Sequence, residues 1–586
     1  MLAQKMLFYA DMIVFRFRTG VRALVRVSLI ALALSVFGTA SAQTNITPAQ
    51  YLASQPKPKF APGNHLPHLT RWGWCLSSNA CIELANNWDF ALPLSNYATP
   101  GEASSVTTPG TFDYGMAQLV NSNPAKYKLS VMIDRTFPQP VPGGFWCTNS
   151  AGLFVDYYSN TWASNVCING NWVCSTNTNS GSWLSYSPWV SPESPDSYWI
   201  TASAYWVNSL NMIQSNVPIT TILNGGEYGL QVSGWGMNAW QQDARVQKQS
   251  VMTNPFSING SIYNVNTNGM SWPRYVSGRK AHELGFLTSA IQQSFPNREL
   301  YIFYKNDNEQ NRGYNPSDLH WMDSFDGWGW WSDFMATNTD LPSFEAYYAA
   351  DGMWTNTANA DLLTQHLNAV GYNIHLGYKT NYTWVSGGWG VDNQPDTNYP
   401  ASFSDTPHYT GFLKCLYTAG MNGAIAGYFS YPVGGFDVAF PSNSPPSWLQ
   451  QIISLSQVHA LFSQLETFTD NSDLISGPQH HALSYDQPAY EFTNTMADAT
   501  ARVLARQLRS SNQWLITAWA AAGADRTVTV TIPTLGSVSV LARACGSVYQ
   551  ATTTNLTLID KNGLLPTITI GLASPPGLHT VPGGTN

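Results

Sequence analysis

The chain has 586 residues, 27 Lys/Arg against 35 Asp/Glu, and 11% charged residues, well under the roughly 25% of an average soluble domain. The net charge of −8, without any basic cluster, argues against nucleic acid as a partner, because phosphate binding needs grouped Lys and Arg. The length admits one large domain and a smaller one. In place of charge the chain carries Asn, Ser, Thr, Gly and aromatic residues, including 23 Trp. That balance suits a protein handling uncharged, hydroxyl-rich ligands, and equally the compositional habit of some secreted proteins.

Residues 1–42 are set apart. Arg16, Arg18, Arg22 and Arg26 precede the apolar run "VSLIALALSVFGT", and "ASAQ" follows with the small residues of a cleavage site. The pattern predicts a secretory signal peptide cut after Ala42. Its apolar run is too short to span a bilayer, so the expectation is export, secreted or periplasmic, with no membrane insertion after cleavage. The leader holds five of the basic and one of the acidic residues, which leaves the mature chain at −12.

Seven cysteines follow the leader, and export permits disulfides. A Cys75–Cys81 staple is plausible, and one disulfide is expected to join Cys167 to either Cys174 or Cys147. No Cys-x2-Cys pair with a His partner suggests zinc. No cofactor or metal is expected, and the sequence leaves the oligomeric state open.

Eight strand-like runs precede residue 440: 71–74, 89–95, 128–134, 219–225, 300–306, 333–339, 372–378 and 424–431. Stretches with helical periodicity precede several of them, "SYWITASAYWVNSLNMIQSN" and "GRKAHELGFLTSAIQQSF" among them. Strands alternating with helices imply parallel pairing. The expected fold is α/β, a (β/α)8 TIM barrel over 43–440. A closing helix and linker follow over 441–485. The alternation in "TVTVTI", "SVSVLA" and "TITIGL" predicts an antiparallel β-sandwich over 486–586. The Cys-rich segment 139–195 is expected to be a long loop after the third strand.

In such a barrel reactive groups sit at the C-terminal ends of the strands. The run "PITTILNGGEYGL" carries Asn224, Glu227 and Tyr228 past the fourth strand, among glycines that allow close ligand approach. A carboxylate there suits general acid/base work or the binding of sugar hydroxyls; the plainer alternative is a carboxylate satisfying loop N–H groups. Glu345, expected just after the sixth strand in "TDLPSFEAYY", is the second catalytic candidate, although the first turn of a helix would also favour an acid there. Glu309 and Asp307 after the fifth strand, and Asp134 ending the third, are candidates for binding substrate. Trp328, Trp330, Trp384 and Trp389 are read as loop platforms for sugar rings, whose C–H edges pack on aromatic faces.

"NGGEYG" resembles the Asn-Glu-Tyr-Gly signature of some barrel β-galactosidases, and the layout of barrel and trailing sandwich is similar to bacterial glycoside hydrolases such as agarases. The resemblance implies that Glu227 is the general acid/base. The chain departs from that pattern in two ways. Two glycines separate Asn224 from Glu227, and "YNIHLGYKTNYTW" offers Lys379 where a nucleophilic Glu would stand. The reading is therefore a glycoside hydrolase acting on a neutral poly- or oligosaccharide with paired carboxylates, and the resemblance implies a galactan-like one. Its rival is a non-catalytic glycan-binding protein of the cell surface. A polysaccharide lyase would need cationic groups that the loops lack.

Overall fold

The computed structural model describes residues 44–61, 66–69, 77–95, 98, 103–133, 145–155, 161–162, 165–168, 171–174, 190–224, 240, 242–250, 256–258, 261–263, 272–296, 300–304, 341–347, 382–386, 390–391, 394–395, 406–426, 437–477, 493–494, 501–521, 523–560 and 579–580. The chain divides into two compact units. The smaller contains the antiparallel pair Asn45–Ile46 and Phe440–Pro441. The larger contains everything described below.

Eight strands form one sheet: β1 (His68–Leu69), β2 (Leu92–Pro93), β3 (Leu129–Ile133), β4 (Thr221–Asn224), β5 (Leu300–Tyr304), β6 (Leu341–Tyr347), β7 (Tyr382–Ser386) and β8 (Gly423–Ala426). Their order is β1-β8-β7-β6-β5-β4-β3-β2, and every pairing is parallel. The two edge strands also bond to each other. The Ala91 N–H donates to the Pro67 carbonyl at 2.9 Å, and the Leu69 N–H to the Ala91 carbonyl at 3.4 Å. All five residues of β3 are buried, as expected for a parallel strand covered on both faces.

Among the described residues, helices occupy five of the crossovers: α1 (Ser78–Asn87), α2 (Phe112–Ser122), α3 (Asp196–Gln214), α4 (Trp272–Ser294) and α5 (Thr406–Ala419), with α6 (Ser447–Ser463) after β8. Side-chain caps start the first two. Ser77 accepts from the Ala80 N–H and Thr111 from the Tyr114 N–H, each satisfying a donor that the helix itself leaves unpaired. α6 is buried almost all round, so it packs as core rather than as an amphipathic surface helix.

Three expected strands fall elsewhere. The sixth is Leu341–Tyr347, not 333–339, and the seventh is Tyr382–Ser386, not 372–378; the expected runs lie outside the described residues. Pro342 hides β6 from a pattern reading, because proline removes a ladder donor and usually argues against a central strand. The first strand is His68–Leu69, two residues that show no periodicity, and the expected 71–74 lies outside the described residues.

The C-terminal sheet has seven strands: β9 (Ser472–Gly477), β10 (Thr493–Asn494), β11 (Ala501–Leu508), β12 (Gln513–Ala520), β15 (Ser547–Thr552), β16 (Asn555–Leu558) and β17 (His579–Thr580). Their order is β10-β9-β11-β12-β15-β16-β17, antiparallel except between β9 and β10. A hairpin of β13 (Arg526–Ile532) and β14 (Gly536–Ala542) forms a second sheet. It alternates as predicted: Val528, Val530 and Ile532 are buried, while Thr527, Thr529 and Thr531 are exposed. Those valines join Val503, Ala505, Trp514, Ile516 and Ala518 in one apolar cluster.

The opposite face of β11 and β12 meets α5. Thr517 and Thr418 share a 2.5 Å hydroxyl contact, and the Trp519 Nε1–H donates to the Ala544 carbonyl at 2.9 Å. Arg506, on β11, uses all five of its donors within this layer. It reaches the Thr418 and Ala419 carbonyls at the C-terminus of α5, the Thr469 and Ser472 carbonyls, and Ser472 Oγ, all at 2.9–3.2 Å. β11 and β12 therefore lie between a helix and a hairpin, which explains why both of their faces are buried.

Candidate active site at the C-terminal ends of the strands

The register aligns the ring in rows. Ile133 of β3, Asn224 of β4, Phe303 of β5 and Pro342 of β6 occupy one row. Glu345 stands three residues past that row, within β6 rather than after it, and pairs in register with Trp384 of β7. The helix-start alternative for Glu345 is thereby corrected, since its backbone belongs to a strand with partners on both sides. Trp384 is corrected too. It is a strand residue with 0% exposure, part of the packed core of the ring, and not a loop platform.

Asn224 is the last residue of β4. Glu227, Tyr228, Asp134, Asp307, Glu309, Trp328, Trp330 and Trp389 lie outside the described residues. In sequence, Glu227 follows Asn224 by three residues, as Glu345 follows Pro342 by three.

Two connections from this end of the ring, after β3 and after β4, are bolted together. The Ala244 N–H donates to the Thr148 carbonyl at 2.8 Å, and the Trp240 Nε1–H to the Val190 carbonyl at 2.9 Å. Asp243 is fully buried. Its Oδ1 accepts from the Arg245 N–H at 2.8 Å and its Oδ2 from the guanidinium at 3.2 Å. The guanidinium also donates to the Trp146 carbonyl and lies over the Phe145 ring, 5.1 Å from its centroid. Cys147 packs beside Asp243. Burial first, and then the charge and hydrogen bond of Asp243, push its thiol well above the usual range.

This is what holds the loop that was expected to be stapled by sulfur. Among the described residues there is no disulfide, and Cys147 is a buried free thiol. The pairing of Cys147 with Cys167 is therefore corrected. In the hairpin Asn165–Ile168/Asn171–Cys174, Cys167 stands opposite Trp172 and Cys174 opposite Asn165, so those two cysteines are offset rather than directly opposed. The Cys167–Cys174 alternative rests on side chains outside those described, and a buried carboxylate with a guanidinium partner fixes the described part of the loop. Sequence reading passed over Phe145, Asp243 and Arg245. The one signal was Asp243 itself, an acid directly ahead of the helix Ala244–Ser250, where an N-cap is favoured.

A second clamp orders the connection after β2. Asp113, on α2 and 2% exposed, accepts from the Ser95 N–H at 2.5 Å, from Ser95 Oγ at 2.8 Å and from Ser105 Oγ. Nearby on α3, burial and the charge of Glu283 push the Tyr198 phenol above its ordinary range. Among the described residues no group of three His, Cys, Asp or Glu is placed to hold a metal ion, and no helix is long and apolar enough to cross a membrane.

The described site thus consists of one sheet of eight parallel strands, with Asn224 ending β4 and Glu345 within β6. No known family profile matches the chain, and no curated protein matches it. Among solved structures it is similar to the α-amylase from Geobacillus thermoleovorans complexed with acarbose, at 10% identity and a TM-score of 0.39, covering 84% of this chain and 98% of that one. It is also similar to a GH30 endoxylanase from Clostridium papyrosolvens C71, at 10% identity and a TM-score of 0.30, with the same two coverages. A third is α-L-fucosidase isoenzyme 2 from Paenibacillus thiaminolyticus, at 10% identity and a TM-score of 0.36, over 70% of this chain and 51% of that one.

Proposed function

We propose that the ring is a (β/α)8 barrel carrying a C-terminal β-sandwich, and that the protein is an exported glycoside hydrolase acting on a neutral poly- or oligosaccharide. The observation that carries this reading is the shared row of Asn224, Phe303 and Pro342. In sequence, Glu227 and Glu345 each follow that row by three residues, and the strands that carry the row at Asn224 and Pro342 are separated only by β5. The equal sequence offset past a common row supports a placement of both carboxyl groups at the mouth, where (β/α)8 enzymes keep their reactive groups.

Glycosidic hydrolysis uses two carboxyl groups in this way. Glu227 donates a proton to the leaving glycosidic oxygen as the C–O bond breaks. Glu345 attacks the anomeric carbon, or deprotonates the water that does, and so meets the positive charge developing on the sugar ring. Export rests on the leader sequence, and a galactan-like substrate on the resemblance in "NGGEYG".

The test is Glu227→Gln, which removes the transferable proton and nearly keeps the shape. Turnover of the natural glycan should fall by about 10²–10⁴-fold, with an unchanged melting curve. An aryl glycoside whose leaving group needs little protonation should suffer less. Near wild-type turnover of the natural glycan would overturn the assignment.

A further inference from the structure

We infer that Phe145 and Arg245 form a secondary sugar platform on the loops above the ring, taking one neutral pyranose unit of a glycan chain. The inference deepens the glycosidase reading and rests on it.

Phe145 is 44% exposed, yet the two serines that hold its backbone are buried. Its N–H donates to Ser194 Oγ at 2.9 Å, and its carbonyl accepts from the Ser191 N–H at 2.7 Å. Ser191 is 0% and Ser194 5% exposed. The next side chain but one, Cys147, is fully buried. The backbone of Phe145 is therefore pinned on both sides, and Arg245 lies over its ring.

Arg245 is fixed in turn by Asp243 and by the Trp146 carbonyl. A large apolar side chain left in water on a rigid base differs from an ordinary surface phenylalanine. Its ordering entropy has already been met in folding, so a ligand that covers it loses little more. The aromatic face suits the C–H edge of a pyranose.

Charge sets the ligand class. The guanidinium is neutralised by a buried carboxylate, so the platform does not select an anion. The side chain of Arg245 is still 34% exposed, and N–H groups at its exposed edge suit sugar hydroxyls as acceptors. Phe145 and Arg245 lie in the connections after β3 and β4, which leave the ring at the end proposed to hold the two glutamates. The proposal requires a glycan long enough to occupy the cleavage point and this surface together.

The experiment uses the whole chain, with Phe145→Ala and Phe145→Trp. Agarose, amylose, xylan and arabinogalactan are screened first. Oligosaccharides of whichever polymer is cleaved then give KM and kcat as a function of length. Phe145→Ala should raise KM about three- to tenfold for long oligosaccharides, leave kcat unchanged, and leave the shortest cleaved oligosaccharide unaffected. Phe145→Trp should restore the wild-type KM. If Phe145→Ala cleaves every length with wild-type KM, or loses the shortest and longest substrates equally, the platform is wrong and the glycosidase reading stands. If the wild type neither binds nor cleaves any of the four polymers, both fall.

Discussion

Lys414 on α5 and Asp560 just past β16 form an ion pair with both side chains at 0% exposure. The Lys414 ammonium also donates to the Gly546 carbonyl at 3.1 Å, and Arg543 stands 3.9 Å from the same carboxylate. Removing two charges from water costs several kcal/mol per ion, which a well-bonded pair roughly offsets. The pair is thus a weak source of net stability and a severe liability when halved.

Lys414→Met should therefore destabilise by about 3–5 kcal/mol, because Asp560 is left buried without its main partner. The double variant Lys414→Met/Asp560→Leu should recover most of that loss. Urea unfolding of the three proteins checks this, and a double variant no more stable than the single one would contradict it.

Gly411→Ala in α5 sets two effects against each other. Alanine is better than glycine inside a helix by about 1 kcal/mol. A Cβ at this position, however, would collide with the Trp519 ring and the Ala544 carbonyl, which are bonded to each other. Neither can give way without breaking that bond. Overpacking of this kind costs about 1–3 kcal/mol, so a lower melting temperature is expected.

Asp89 gives a pH dependence. It occupies positive φ, at 58°, and burial raises its carboxyl from an ordinary 3.8 to about 6. The folded chain holds this proton more tightly than the unfolded chain, so ionisation opposes folding. The penalty is absent below pH 3.8 and complete above about 6. Asp89→Asn, which tolerates the same φ, should melt higher than wild type above pH 6. The two curves should converge as the pH falls toward 3.8.

Cys147 should be inert. Its thiol is buried and pushed up by burial and by Asp243, and the thiolate is the reactive form. Native protein treated with iodoacetamide should carry no adduct at Cys147, and unreduced peptides should show it unpaired. Labelling as fast as in urea would contradict the packing described.

The sequence shows the helices well where one pattern decides. α3 falls within a residue or two of its predicted ends, and α6 lies inside the segment expected to hold a closing helix, because long apolar runs dominate both. The hairpin β13–β14 was legible for the same reason: one of its faces meets water and the other the core. β11 and β12 were not legible. Arg502 and Arg506 interrupt the apolar run, and a pattern reading assigns arginine to solvent. Here Arg506 finds its acceptors on α5 and around Ser472, distant in sequence. In the candidate site Glu345 was noticed, but its strand was displaced by Pro342. The Asp243–Arg245–Phe145 unit was missed, because nothing local announces that an aspartate will be buried by another loop.

The reach of Arg506 has a consequence for how the chain matures on the ribosome. The carbonyls it holds close α5, which leads into β8, the strand that joins β1 and completes the ring. Synthesis runs from the first strand toward the last, and domains generally fold as units while that happens. Arg506 lies far along the chain from β1, so the ring and the trailing sheet are expected to mature together. Nascent chains arrested before residue 501 should keep β8 open to protease, while released full-length chains should protect it.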